Sequence, residues 1–181
     1  MAMDTSAALA PLDAAITDPN AFTELGFSIL VLVAIIVLHG WGLSRVTSFF
    51  SGRFALYSSK TALWRISGLT SATITLLVLL HLVETLLWTT PFYGLGVIPN
   101  FSNAYYFVLE AYTTLGEGNV LLPSTWRLAG PIIAISGLFT FGWTGSVLVY
   151  VMNEIGKLHA TRSRIAARAA AAPEKGGAEA G

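Results

Sequence analysis

The chain contains no cysteine. That removes disulfides, thiolate metal sites and cysteine nucleophiles together. Charge is also scarce: Asp, Glu, Lys and Arg make up 11% of the 181 residues, against 54% hydrophobic residues and a mean hydropathy of +0.67. Such a chain is too apolar for an ordinary soluble domain and too short for a large transporter, so it belongs in a bilayer. No internal repeat is present, and a site that needs several equivalent parts must therefore take them from several chains. The first apolar run holds no arginine, which excludes a voltage-sensing helix with its several gating charges. No basic residue precedes that run. A cleavable signal peptide is thus not expected, and the first span should remain in the mature protein.

What is present is apolar length. Three stretches, Leu25 to Leu43, Ile66 to Trp88 and Leu128 to Met152, can each cross roughly 30 Å of hydrocarbon as a helix rising ~1.5 Å per residue. A fourth, Phe101 to Thr113, carries Asn103 and Glu110 and would be only about 20 Å long, a length typical of re-entrant segments. Asp4, Asp13, Asp18 and Glu24 precede the first span with no base among them. Arg45, Arg53, Lys60 and Arg65 lie between the first two spans, and Lys157, Arg162, Arg164, Arg168 and Lys175 follow the third, so nine of the ten bases share one side of a three-span chain. The positive-inside rule then puts the N-terminus outside and the C-terminus in the cytoplasm.

The expected organisation is an external segment over 1–21, a transmembrane helix over 22–45, a cytoplasmic interfacial linker over 46–65, a two-span unit over 66–152 and a cytoplasmic tail over 153–181. In the linker, Phe49, Phe50, Phe54, Tyr57 and Trp64 alternate with the bases, as in a segment lying on lipid headgroups. Trp41, Trp64, Trp88 and Trp126 fall near span ends, where amphipathic rings prefer to sit. Thr90-Pro91, Gly94, Gly96 and Pro99-Asn100 mark an external loop.

Between the short apolar segment and the last span runs Thr113-Thr114-Leu115-Gly116-Glu117-Gly118-Asn119. Glycines permit the backbone angles that turn successive carbonyls to one side, and four such loops around an axis can replace a cation's water shell. Non-helical backbone at membrane depth requires a water-filled path or burial in protein, and a helix ending there aims its partial negative charge at the same place.

The run T-T-L-G-E-G-N resembles the T-T-V-G-Y-G-D signature of the potassium-channel superfamily, with three of its seven positions changed. The wider set Tyr105-Tyr106-Phe107, Tyr112-Thr113-Thr114, Trp126-Arg127-Leu128 and Phe141-Gly142-Trp143 is similar to small bacterial potassium-channel-like proteins with an extra N-terminal span. The resemblance implies an all-α membrane protein: three transmembrane helices, a re-entrant pore helix and a selectivity-filter loop, assembled as a homotetramer in the cell (inner) membrane. It implies a filter at Thr113 to Asn119, with permeant cations on Thr114, Leu115, Gly116 and Glu117. Glu110, Tyr112, Trp126 and Arg127 would support that filter, and Gly137 and Gly142 would supply the gating hinge of the inner helix. Glu117 stands where the family has tyrosine, and Asn119 where it has aspartate. The ending acid-glycine-asparagine is similar to that of non-selective channels with the filter T-V-G-D-G-N, so weak discrimination between K⁺ and Na⁺ is expected, with Ca²⁺ binding at the outer filter. A K⁺-selective channel and a non-conducting accessory subunit are the alternatives.

No cofactor beyond the permeant ions, no nucleic acid and no partner besides other copies and lipid are expected. His39, His81 and Glu84 remain as polar outliers within the spans. His81 and Glu84 can share a helical face, and a hydrogen-bonded pair is the expectation, ahead of a pH-sensitive element or a metal site. A membrane metalloenzyme built on the three is disfavoured, because the span boundaries place His39 toward the cytoplasmic end and Glu84 toward the external end. The chain is not expected to be an enzyme.

Overall fold

The computed structural model describes residues 19–118, 120 and 122–171, and among them there are helices and no strands. Helix α1 spans Pro19–Phe54, α2 Leu63–Gly94, α3 Phe101–Tyr112 and α4 Ala129–Ala171, with a single 3₁₀ turn at Ser124–Trp126. Three helices, α1, α2 and α4, are long and apolar enough to cross a membrane. At 36, 32 and 43 residues they are about 54, 48 and 65 Å long, so each overshoots the hydrocarbon layer.

The packing follows one stripe on each long helix, recurring every three or four residues. On α1 it runs Glu24, Ser28, Val31, Ile35, His39, Leu43, Val46, Phe50, and on α2 Leu69, Thr73, Leu77, His81, Glu84, Trp88, Phe92; all are buried. Helix α4 contributes Ile132, Ser136, Thr140, Thr144 and Val151. Because α1 and α4 run antiparallel to α2, the stripes stack in layers. One apolar cluster joins Ile35, Trp88, Phe92, Val108, Tyr112 and Ile133, a second joins Leu43, Val46 and Leu77, and a third joins Phe50, Leu69 and Val151. Helix α1 lies against α2 and α4, while the short α3 is held between α2 and α4.

Several boundaries differ from expectation. Helix α1 continues through 46–54, so the first half of the expected linker is helix, with Phe50 buried at the α2–α4 contact. Pro91 lies inside the last turn of α2, and the external loop shrinks to 95–100. Trp88 is not an interfacial aromatic: it is fully buried and its Nε1–H donates to Ser136 Oγ at 3.2 Å. Trp41 and Trp64 are exposed, each beneath an arginine, Arg45 and Arg65. The tail part of α4 passes beside the linker, where Arg162 donates to the carbonyls of Ser58 and Thr61.

Candidate functional site

Helix α3 starts where Asn100 accepts a hydrogen bond from the Asn103 N–H at 3.1 Å, an N-cap that satisfies one otherwise free donor. It ends in a tight backbone exit: Thr113 N–H donates to Leu109 O at 3.0 Å, Thr114 N–H to Ala111 O at 3.1 Å and Leu115 N–H to Glu110 O at 2.9 Å. Beyond it the backbone is left-handed at Thr114 (φ 59°) and Gly116 (φ 66°). Glycine accepts that conformation without cost, and a residue with a Cβ does not. Thr113 to Glu117 are exposed in the single chain, Leu115 by 60%. Asn119 lies outside the described residues.

Two glycines are required by contact rather than by φ. A Cβ on Gly118 would overlap the Glu110 carboxylate, and one on Gly137 would overlap the Tyr112 carbonyl. Glu110 is thus packed directly behind the loop, buried, and its Oε1 has no hydrogen-bond partner among the described residues. Gly137 is where α4 presses on the end of α3. At Gly142 and Gly145 a Cβ would meet open space.

The remaining expected support residues fall in different places. Trp126 packs edge-on against Phe27 of α1 and Phe92 of α2, at 5.6 and 5.9 Å between ring centroids. Arg127 is exposed. Tyr112 is buried at the centre of a polar layer between the first and second apolar clusters. Its hydroxyl donates to Glu84 Oε2 at 2.6 Å and lies 2.6 Å from Thr140 Oγ1 and 2.9 Å from His81 Nδ1. His39 Nδ1 meets the other Glu84 oxygen at 2.6 Å.

The expected separation of His39 from Glu84 is therefore wrong. It rested on a first span ending near residue 43; with α1 running to Phe54, His39 falls at mid-helix and level with Glu84. The three-or-four-residue stripe on each helix carried the signal, since both residues continue an apolar series.

A residue that motif reading did not single out is Glu24. Its Oε1 accepts from the backbone N–H groups of Leu128 at 2.6 Å and Ala129 at 3.0 Å. These are free donors at the start of α4, where the helix dipole favours an anion. Helix α1 is thereby fastened to the first turn of α4. Replacing Glu24 by Ala is expected to lower stability by about 1 kcal/mol, the usual loss for an N-cap, read as an earlier thermal transition of the detergent-solubilised protein; an unchanged transition would show that the cap contributes nothing.

Residues 80–154 match the family model described as ion channel, which is consistent with a pore module of the potassium-channel superfamily. The matched segment takes in the second half of α2, all of α3, the loop and most of the apolar part of α4. The matched segment is similar to an ion-channel domain, which together with three helices long and apolar enough to cross a membrane supports a membrane protein, and that similarity points to a non-enzymatic transporter. No curated protein and no solved structure matches the chain.

Proposed function

We propose that four copies of this chain surround one axis and form a passive cation channel that conducts K⁺ and Na⁺ with weak discrimination. The observation that carries this reading is the exit from α3: a short helix hands its chain to a loop with left-handed Thr114 and Gly116, exposed from Thr113 to Glu117. At membrane depth such backbone needs a water-filled path, and one chain supplies a single wall of it. In the tetramer the carbonyls of Thr114, Leu115, Gly116 and Glu117 coordinate the permeant ion, with the Thr114 hydroxyl at the cavity end. The exposed apolar face of α4, with Ile135, Leu138, Phe139 and Val149, meets neighbouring copies or lines the inner pore. The basic linker and tail face the cytoplasm of the cell (inner) membrane against anionic lipid.

Glu117 sets the outer-site chemistry. Tyrosine would brace the outer carbonyl ring by packing beside the pore helices, whereas four Glu117 carboxylates leave it free and offer oxygen ligands to a hard divalent ion. Reversal potentials of the purified protein in planar bilayers, under K⁺ on one side and Na⁺ on the other, test the assignment. A reversal potential near zero is expected; a strict K⁺ potential would replace weak selectivity with K⁺ selectivity, and no current from verified tetramers would favour an accessory subunit. Glu117→Gln is expected to relieve block by external Ca²⁺. Glu117→Tyr combined with Asn119→Asp is expected to move the reversal potential toward K⁺.

A further inference from the structure

The polar layer behind the loop closes on itself as a ring of hydrogen bonds in which Glu84 accepts from both sides. Glu84 accepts at both oxygens, from His39 Nδ1–H at 2.6 Å and Tyr112 O–H at 2.6 Å. With its proton committed to Glu84, the Tyr112 oxygen accepts from His81 Nδ1–H at 2.9 Å. That tautomer leaves His81 Nε2 as an acceptor for the Thr144 hydroxyl at 3.0 Å. Thr144 Oγ1 also lies 3.4 Å from His39 Nε2, which closes the ring. His39 thus faces a carboxylate through Nδ1 and a hydroxyl through Nε2. All five side chains of the ring, His39, Glu84, Tyr112, His81 and Thr144, are partnered.

The loop spans every spanning helix: His39 from α1, His81 and Glu84 from α2, Thr144 from α4. It also takes in Tyr112, the last residue of α3, one residue before Thr113. A metal ion on His39, His81 and Glu84, whose ligand atoms lie within 4.8 Å of one another, would have to displace hydrogen bonds that already occupy those atoms. Holding the end of α3 is what the arrangement is suited to.

We propose that His39, on the helix added before the two-span unit, is a positioning residue of the ion filter: by holding Glu84 in place it fixes the Tyr112 hydroxyl, and with it the backbone from which Thr113 and Thr114 enter the loop. The proposal rests on the filter reading above for its meaning but not for its measurement. Without His39, Glu84 is a buried carboxylate that has lost one of its two donors, so it must take up a proton or draw in water. Either change redirects the Tyr112 hydroxyl. Leu43, one turn along the same stripe and also buried, belongs to the apolar cluster of Val46 and Leu77. Its truncation loosens helix packing without reaching Tyr112.

The test compares full-length protein in lipid nanodiscs as His39→Ala, His39→Asn, Tyr112→Phe and Leu43→Ala. Hydrogen–deuterium exchange is followed at the amides of Thr113, Thr114 and Leu115, which are hydrogen-bonded to the end of α3. His39→Ala and Tyr112→Phe should each speed exchange roughly tenfold, the factor expected for loss of one buried hydrogen bond to a charged group. His39→Asn keeps an N–H near the place of Nδ1 and should restore most of the protection, while Leu43→Ala should leave these amides near the parent rate. The His39→Ala, Tyr112→Phe double variant should exceed neither single one by much, because both act through one chain of contacts. In bilayers the same variants should shift the K⁺/Na⁺ permeability ratio. Equal exchange in His39→Ala and Leu43→Ala overturns the proposal, as does stoichiometric zinc in the parent protein that is lost in His39→Ala. Parent protein that carries no current yet shows His39-dependent exchange sinks the channel reading and upholds the coupling.

Discussion

Gly118→Ala is expected to abolish unitary current. The Cβ it adds would occupy the space of the Glu110 carboxylate, which is buried and cannot swing into solvent. Either Glu110 leaves its place behind the loop or the loop moves toward the axis, and four copies make that displacement fourfold. Overpacking a buried site costs about 1–3 kcal/mol even where the core can adjust. Gly116→Ala should have the same outcome for another reason: its φ of 66° imposes roughly 1–2 kcal/mol on any residue with a Cβ. The sequence leads one to expect a positive φ at both glycines, yet Gly118 does not have it. The difference can be measured, because Gly118→Ala combined with Glu110→Ala relieves the overlap and should recover part of the current, whereas Glu110→Ala should do nothing for Gly116→Ala. Tetramers of Gly118→Ala with ordinary conductance would remove the filter assignment.

Gly137→Ala is expected to alter ion preference as well as opening. Read as a hinge, this glycine should affect open probability alone, since glycine inside a helix costs about 1 kcal/mol relative to alanine and bends easily. In the folded chain α4 is unbroken through it, and the added methyl would overlap the Tyr112 carbonyl. The end of α3 must then shift, at about 1–3 kcal/mol per subunit for overpacking, and the loop that follows shifts with it. Gly142, where an added methyl would meet open space, is the useful comparison. Gly142→Ala stiffens the same helix without touching α3, so it should change open probability and leave the reversal potential alone. Recording both variants under K⁺ on one side and Na⁺ on the other separates the effects. An unchanged permeability ratio in Gly137→Ala would return this residue to the role of a hinge.

Local properties of the chain determined a great deal. Apolar length, the short polar-spotted segment over 101–113 and the T-T-L-G-E-G-N run mark three spanning helices, a short helix and a loop, because span length and turn chemistry depend only on neighbouring residues. The ends of helices were less legible: Phe49 to Phe54 and Thr90-Pro91 look like linker and loop by composition, but packing of Phe50 and Phe92 against neighbouring helices extends both. Only the tertiary structure decided which polar residues meet. Glu24 reaches Leu128 and Ala129 across more than one hundred positions, and His39 reaches Glu84 across 45. Their pairing depends on the register between α1, α2 and α4, and one turn of sliding would separate them by about 5.4 Å. No single helix contains that register. It is set by the layers of apolar contact on either side, and a buried carboxylate between them must find its donors there because the surrounding lipid offers none.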